Sequence, residues 1–156
     1  MTALSDLIAS FEELWPPDTA EDWDRVGLML GHPKSEIGKV LLSVDVTSDV
    51  IAEAIEQDAQ LLLTHHPMLL RPVHELGELT AKGNLVSSAI RGSLAIYAAH
   101  TNADIAQGGV SQSLGAALGL TQIAPLDAAT GHGCIGEVEK QKLVEFARHV
   151  AKVLPP

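Results

Sequence analysis

The sequence predicts an α/β domain, with a mainly parallel sheet flanked by helices. Three observations carry this expectation. Continuous apolar runs at 39–46 (KVLLSVDV), 60–64 (QLLLT) and 93–98 (SLAIYA) have the length of strands buried on both faces. Segments with apolar residues at helical spacing separate them, as βαβ units require. Aromatic residues make up 3% of the chain against 46% hydrophobic residues in all, so Leu, Val, Ile and Ala must build the core. A core of this kind suits helices layered on a sheet better than an aromatic-rich sandwich.

In chain order, Leu4, Leu7, Ile8, Phe11 and Leu14 mark a helix that Pro16-Pro17 ends, with Ser5 or Thr2 as candidate caps. Val26 to Leu30 reads as a short strand closed by Gly31-His32-Pro33. After the first buried strand, Thr47 or Ser48 caps a helix through Val50, Ile51, Ala54 and Ile55. The second buried strand is followed by a helix through Leu85, Val86, Ala89 and Ile90, stopped by Gly92, and then by the third strand. A helix over Ser111 to Leu118, strand pieces near Ile123 and Ile135, and an amphipathic helix over 140–153 complete the pattern. No linker or repeat interrupts it, so 1–156 reads as one domain.

The formal net charge of -10, with no Lys/Arg stripe, makes nucleic acid an unfavourable partner. Cys134 is the only cysteine, which excludes an intramolecular disulfide. Residues 1–10 lack a signal-peptide pattern, and no apolar run approaches the roughly 20 residues of a membrane span. A cytoplasmic protein is the expectation.

The chemistry concentrates at two strand ends. LLLT runs into His65-His66-Pro67, and IYAA runs into His100-Thr101-Asn102-Ala103-Asp104. Ligands of open parallel sheets bind beyond the carboxyl ends of the strands, so both clusters fall on one rim if the strands are neighbours. Imidazole nitrogens suit ions such as zinc, iron or nickel, and a carboxylate such as Asp104 can bridge two of them. The absence of thiolates argues against a closed structural zinc site. A lone strand-end histidine is more often a capping or hydrogen-bonding residue; the adjacent pair and the second cluster favour metal. His100 can orient a ligand from behind or simply pack at the strand end. Asp45 can cap its strand or line the rim, His32 and His74 read as surface residues, His149 lies on the last helix where a charge near the C-terminus suits the dipole, and Cys134 reads as part of a loop leading into a strand.

Three segments, DWDRVGLMLG (22–31), LLLTHHPMLLRPVHEL (61–76) and YAAHTNADIAQGGV (97–110), resemble in order and spacing the N-terminal signatures of the Nif-three-like proteins, also called GTP cyclohydrolase I type 2 homologs. The resemblance runs through nearly the whole chain. It implies a Nif-three-like α/β fold, a centre of two divalent ions (zinc, iron, manganese or nickel) and homo-oligomers, commonly hexamers. It carries metal-ligand roles onto His65, His66 and Asp104, with Asp104 as the bridge. His100 falls near that centre and is the best candidate for a catalytic acid or base. Trp23 and Asp24 match a family segment whose role is structural or at the pocket edge rather than catalytic. The implied activity is hydrolysis of a nucleotide such as GTP by metal-activated water; the alternative is a non-enzymatic metal-binding scaffold. The chain departs from the pattern at Ala103, usually Leu, and at Ser111-Gln112, where Ser111 can cap a helix. The family also draws a His and a Glu from a later segment, and no His followed four residues on by Glu occurs near this end. The resemblance therefore covers the family's N-terminal portion, and metal held by the ligands present is expected to bind weakly.

Overall fold

The computed structural model describes residues 1–155, and the chain divides into two compact units, Met1–Ala103 and the part from Asp104 onward. The first unit runs β1 (Thr2–Ala3), α1 (Leu4–Leu14), a 3-10 turn (Pro17–Thr19), β2 (Gly27–Leu30), β3 (Glu36–Ile37), β4 (Val40–Ser43), α2 (Ser48–Glu56), β5 (Leu61–Thr64), α3 (Ala81–Arg91) and β6 (Ala95–Ala98). Its main sheet has the order β2-β6-β5-β4. The pairs β4–β5 and β5–β6 are parallel, and β2 joins β6 antiparallel. The mainly parallel sheet is thus the one the apolar runs predict, and β1 pairs with β3 in a small antiparallel ribbon of its own.

Alternation along β5 and β6 builds a core on each face of the sheet. Leu62 and Ile96 pack with Ile51 and Ala54 of α2 and with Leu85, Val86 and Ala89 of α3. Leu61, Ala95 and Tyr97 pack on the other face with Leu4, Leu7, Ile8 and Phe11 of α1. All four residues of β6 are buried, as a central strand requires.

One strand expected to be buried on both faces is not. Leu42 of β4 is 72% exposed and Val44 is 56% exposed, because β4 lies at the sheet edge. The caps divide in the same way. Thr47 accepts the Val50 N–H and caps α2 as expected. Ala3, with no side-chain bond, precedes α1, so neither Ser5 nor Thr2 caps it. Gly109, and not Ser111, stands at the start of the later helix.

The short helix α4 (Thr101–Ile105) carries the chain from the first unit into the second. The second unit comprises α5 (Val110–Ala117), the antiparallel pair β7 (Thr121–Ala124) and β8 (Ile135–Glu137), and α6 (Leu143–Val153). Gly115 lets α5 lie close to the loop before β8: a Cβ there would come within 2.9 Å of Cys134 Sγ. Among the described residues no helix is long and apolar enough to cross a membrane.

Candidate metal centre

Strand register assembles the site. β4 and β5 pair Ser43 with Thr64, so Asp45 and His66 leave their strands at one level. β5 and β6 pair Thr64 with Ala98, which brings His100 to that level as well. β2 runs the other way with Gly27 opposite Ala98, so Asp24 meets the turn around Thr101. Four strands that are distant in sequence therefore deliver Asp24, Asp45, His65, His66 and His100 to one rim.

The three imidazoles converge there. Ring centroids lie 5.1 Å apart for His65–His66, 5.1 Å for His65–His100 and 5.5 Å for His66–His100. One nitrogen from each ring lies within 4.8 Å of the others, a spacing that a single ion can bridge. The edge of Trp23 approaches His100 with a centroid distance of 5.9 Å.

Each ring is held through Nδ1. His65 Nδ1 lies 3.1 Å from the Ala99 carbonyl, His66 Nδ1 lies 2.8 Å from Asp45 Oδ1, and His100 Nδ1 lies 2.9 Å from Asp24 Oδ1. All three partners are acceptors, so each Nδ1 carries the proton and the lone pair of each ring lies on Nε2. Histidine ligands of metals are commonly oriented in this way by a carboxylate or carbonyl behind the ring. The donor set present in the chain fits a divalent transition-metal ion.

Asp24 is the most firmly fixed of these groups. Its carboxylate is buried and accepts hydrogen bonds from Thr101 Oγ1 at 2.5 Å, from the Thr101 N–H at 3.1 Å and from the Arg25 N–H at 2.7 Å, besides His100. Burial alone would push its pKa up, but the bonds from Thr101, His100 and Arg25 together hold it below the usual carboxylate value. Asn102 locks the same turn: its Oδ1 accepts the His100 N–H and its Nδ2 donates to the Trp15 carbonyl. Thr101 serves loop backbone as well, its Oγ1 accepting the Glu21 N–H at 3.1 Å. The sequence does not reveal that Asp24 and Asp45 stand behind His100 and His66; the shared strand register is the signal that could have found them. Asp104 is half-buried in α4 and is the first residue of the second unit. His32 and His74 are exposed, as surface histidines should be, and His149 is exposed on α6.

Comparison with known proteins places the chain in a family. The model of the Duf34/NIF3 family (NGG1p interacting factor 3) matches residues 2–156. The chain belongs to the Duf34/NIF3 family. Among its NIF3 relatives, a GTP cyclohydrolase 1 type 2 homolog from Streptomyces coelicolor is 38% identical over 99% of this chain and 57% of its own length. The homolog of the same name from Mycobacterium tuberculosis is 43% identical over 82% of this chain and 33% of its own length. The chain thus spans between about a third and somewhat over half of these curated relatives. Among solved structures, a Bacillus cereus protein related to NIF3 superposes with a TM-score of 0.78 and 35% identity, over 81% of this chain and 35% of its own. Reduced HcgD from Methanocaldococcus jannaschii superposes with a TM-score of 0.86 and 28% identity, over 97% of this chain and 60% of its own. The NIF3-like α/β fold is therefore established for this chain.

Proposed function

We propose that the protein is a metal-dependent hydrolase of the NIF3 type, acting on a nucleotide, in which His65, His66 and Asp104 hold two divalent ions. The observation that carries this reading is the orientation of three imidazoles by three separate acceptors, with one nitrogen of each ring gathered in a group that could hold a metal ion. Bound ions of this class supply Lewis acidity and a water acidified enough to react near neutral pH. The chain's own residues do the rest. Asp45 and the Ala99 carbonyl keep His66 and His65 in the ligating tautomer. Asp24 holds the proton on His100 Nδ1, so that His100 Nε2 accepts a proton during the reaction and returns it to the leaving group. Trp23 shields one side of that ring from water.

The same convergence of rings favours a second reading for His100, as a third nitrogen ligand. Substitution separates the two. His100→Ala that keeps its metal and loses nucleotide turnover assigns His100 to proton transfer; loss of the metal assigns it to ligation. His66→Ala is expected to abolish both metal binding and turnover of GTP with added manganese or zinc. Metal retained by the unaltered chain with no turnover of any nucleotide would instead favour a metal-binding scaffold. The homo-oligomeric assembly implied by the family resemblance is part of this proposal, and light scattering on the metal-loaded protein tests it.

A further inference from the structure

The segment after the paired histidines crosses the surface and enters α3. Pro67, Leu70, Pro72 and Val73 line a cleft of about 350 Å³ there, together with Arg71 and Lys82. In a chain of net charge -10, a cleft lined by two cations and by no carboxylate is unusual. Among the described residues neither cation has a hydrogen-bonding or ionic partner, whereas Arg91 of the same helix is paired with Glu78. The corner that carries them is well built. Thr80 Oγ1 accepts the Gly83 N–H and donates to the Gly77 carbonyl, and Gly83 packs directly on that carbonyl. Lys82 therefore stands in the first turn of α3, which holds no acidic residue and whose dipole favours an anion. The cleft wall begins at Pro67, the residue after His66.

We propose that this cleft binds the phosphate chain of the substrate, with Arg71 and Lys82 pairing with phosphate oxygens while the reacting group lies at the histidines. The choice of phosphate rests on the nucleotide reading above. Arginine's planar fork matches phosphate, and lysine adds a second, mobile charge. The apolar wall excludes water and strengthens both contacts.

Calorimetric titration of the chelator-treated, metal-free protein with inorganic triphosphate tests this directly. Saturable binding is expected, weakened about tenfold by Arg71→Gln and again by Lys82→Gln, as the loss of one charge-assisted contact each requires. Lys34→Gln, at an exposed lysine outside the cleft, should leave binding unchanged. The proposal is overturned if triphosphate does not bind, if neither cleft substitution weakens it, or if Lys34→Gln weakens it equally. Citrate bound as tightly, and lost on the same substitutions, would overturn the phosphate assignment. Because the titration needs no metal and no turnover, it stands when the hydrolase reading fails. Conversely, turnover whose KM is unmoved by Arg71→Gln would overturn the cleft and leave the hydrolase reading intact.

Discussion

Two buried polar groups, Asp24 and Tyr97, occupy opposite ends of the range of hydrogen-bond satisfaction. Asp24 accepts four hydrogen bonds, and removing its charge leaves His100 without an orienting acceptor. Where His100 ligates the metal, Asp24→Asn is expected to weaken zinc or manganese binding about 10- to 100-fold, the usual loss when the group behind a ligating ring is changed; where His100 transfers protons, the variant keeps its metal and loses turnover. Competition with a chromophoric chelator measures it, and unchanged affinity would exclude His100 as a metal ligand and leave it the proton-transfer role. Tyr97 has the opposite character. Its side chain is wholly buried, yet its hydroxyl has no hydrogen-bond partner among the described residues. Tyr97→Phe should therefore leave stability unchanged or raise it by about 1 kcal/mol. Burial, aided by the charge of Glu12, pushes the phenol up to about 12. The folded protein thus holds this proton after the unfolded chain, with its ordinary phenol near 10, has begun to release it. Stability should fall as pH rises from about 10 towards 12, and denaturant titrations of Tyr97→Phe should lack that component of the fall.

The elements explain what could and could not be read from the chain. β5 and β6 were legible because central strands are buried on both faces and so show continuous apolar runs. β4 shows the same run but lies at the edge, since strand order is a property of pairing and leaves no mark on hydropathy. Thr47 was a legible cap, while Ala3 and Gly109 bear no side chain that could signal one. For the site, His65, His66 and His100 stood out as polar residues directly after apolar strands. The carboxylates behind two of them did not, because Asp24 and Asp45 reach them only through long-range register. The elements also make a prediction of their own. A Cβ at Gly83 would collide with the Gly77 carbonyl, so Gly83→Ala should push the 77–80 turn away from α3. We expect a loss of about 1–3 kcal/mol, the range for overpacking a close contact, measured by urea unfolding. Full stability in this variant would mean that the turn moves freely.

At the scale of the molecule, the reading of 1–156 as one domain becomes a proposal that the two compact units melt together. A single calorimetric transition, with equal calorimetric and van't Hoff enthalpies, is the expected result. Two separated transitions would divide the chain at Asp104. An ion that binds only the folded chain must raise this transition, by about 2.7 kcal/mol at a hundredfold excess over its Kd. Zinc or manganese should therefore raise Tm in the unaltered protein and fail to do so in His66→Ala. Equal shifts in both would locate the ion elsewhere on an acidic surface.

The row formed by Asp45, His66 and His100 also limits how the gene can vary. The residues share one level because three parallel strands keep a fixed offset, 21 positions from β4 to β5 and 34 from β5 to β6. A codon lost or gained within a strand would exchange its two faces and carry its histidine or aspartate off the row. The same change in the loop at 67–80 leaves the strand register and the row intact and costs little in closure entropy. Lineages of this protein should therefore accumulate insertions and deletions between the strands and almost none within them. Placing single-codon insertions systematically along 39–100 and scoring retained metal would reveal that alternation as a map of permitted and forbidden positions.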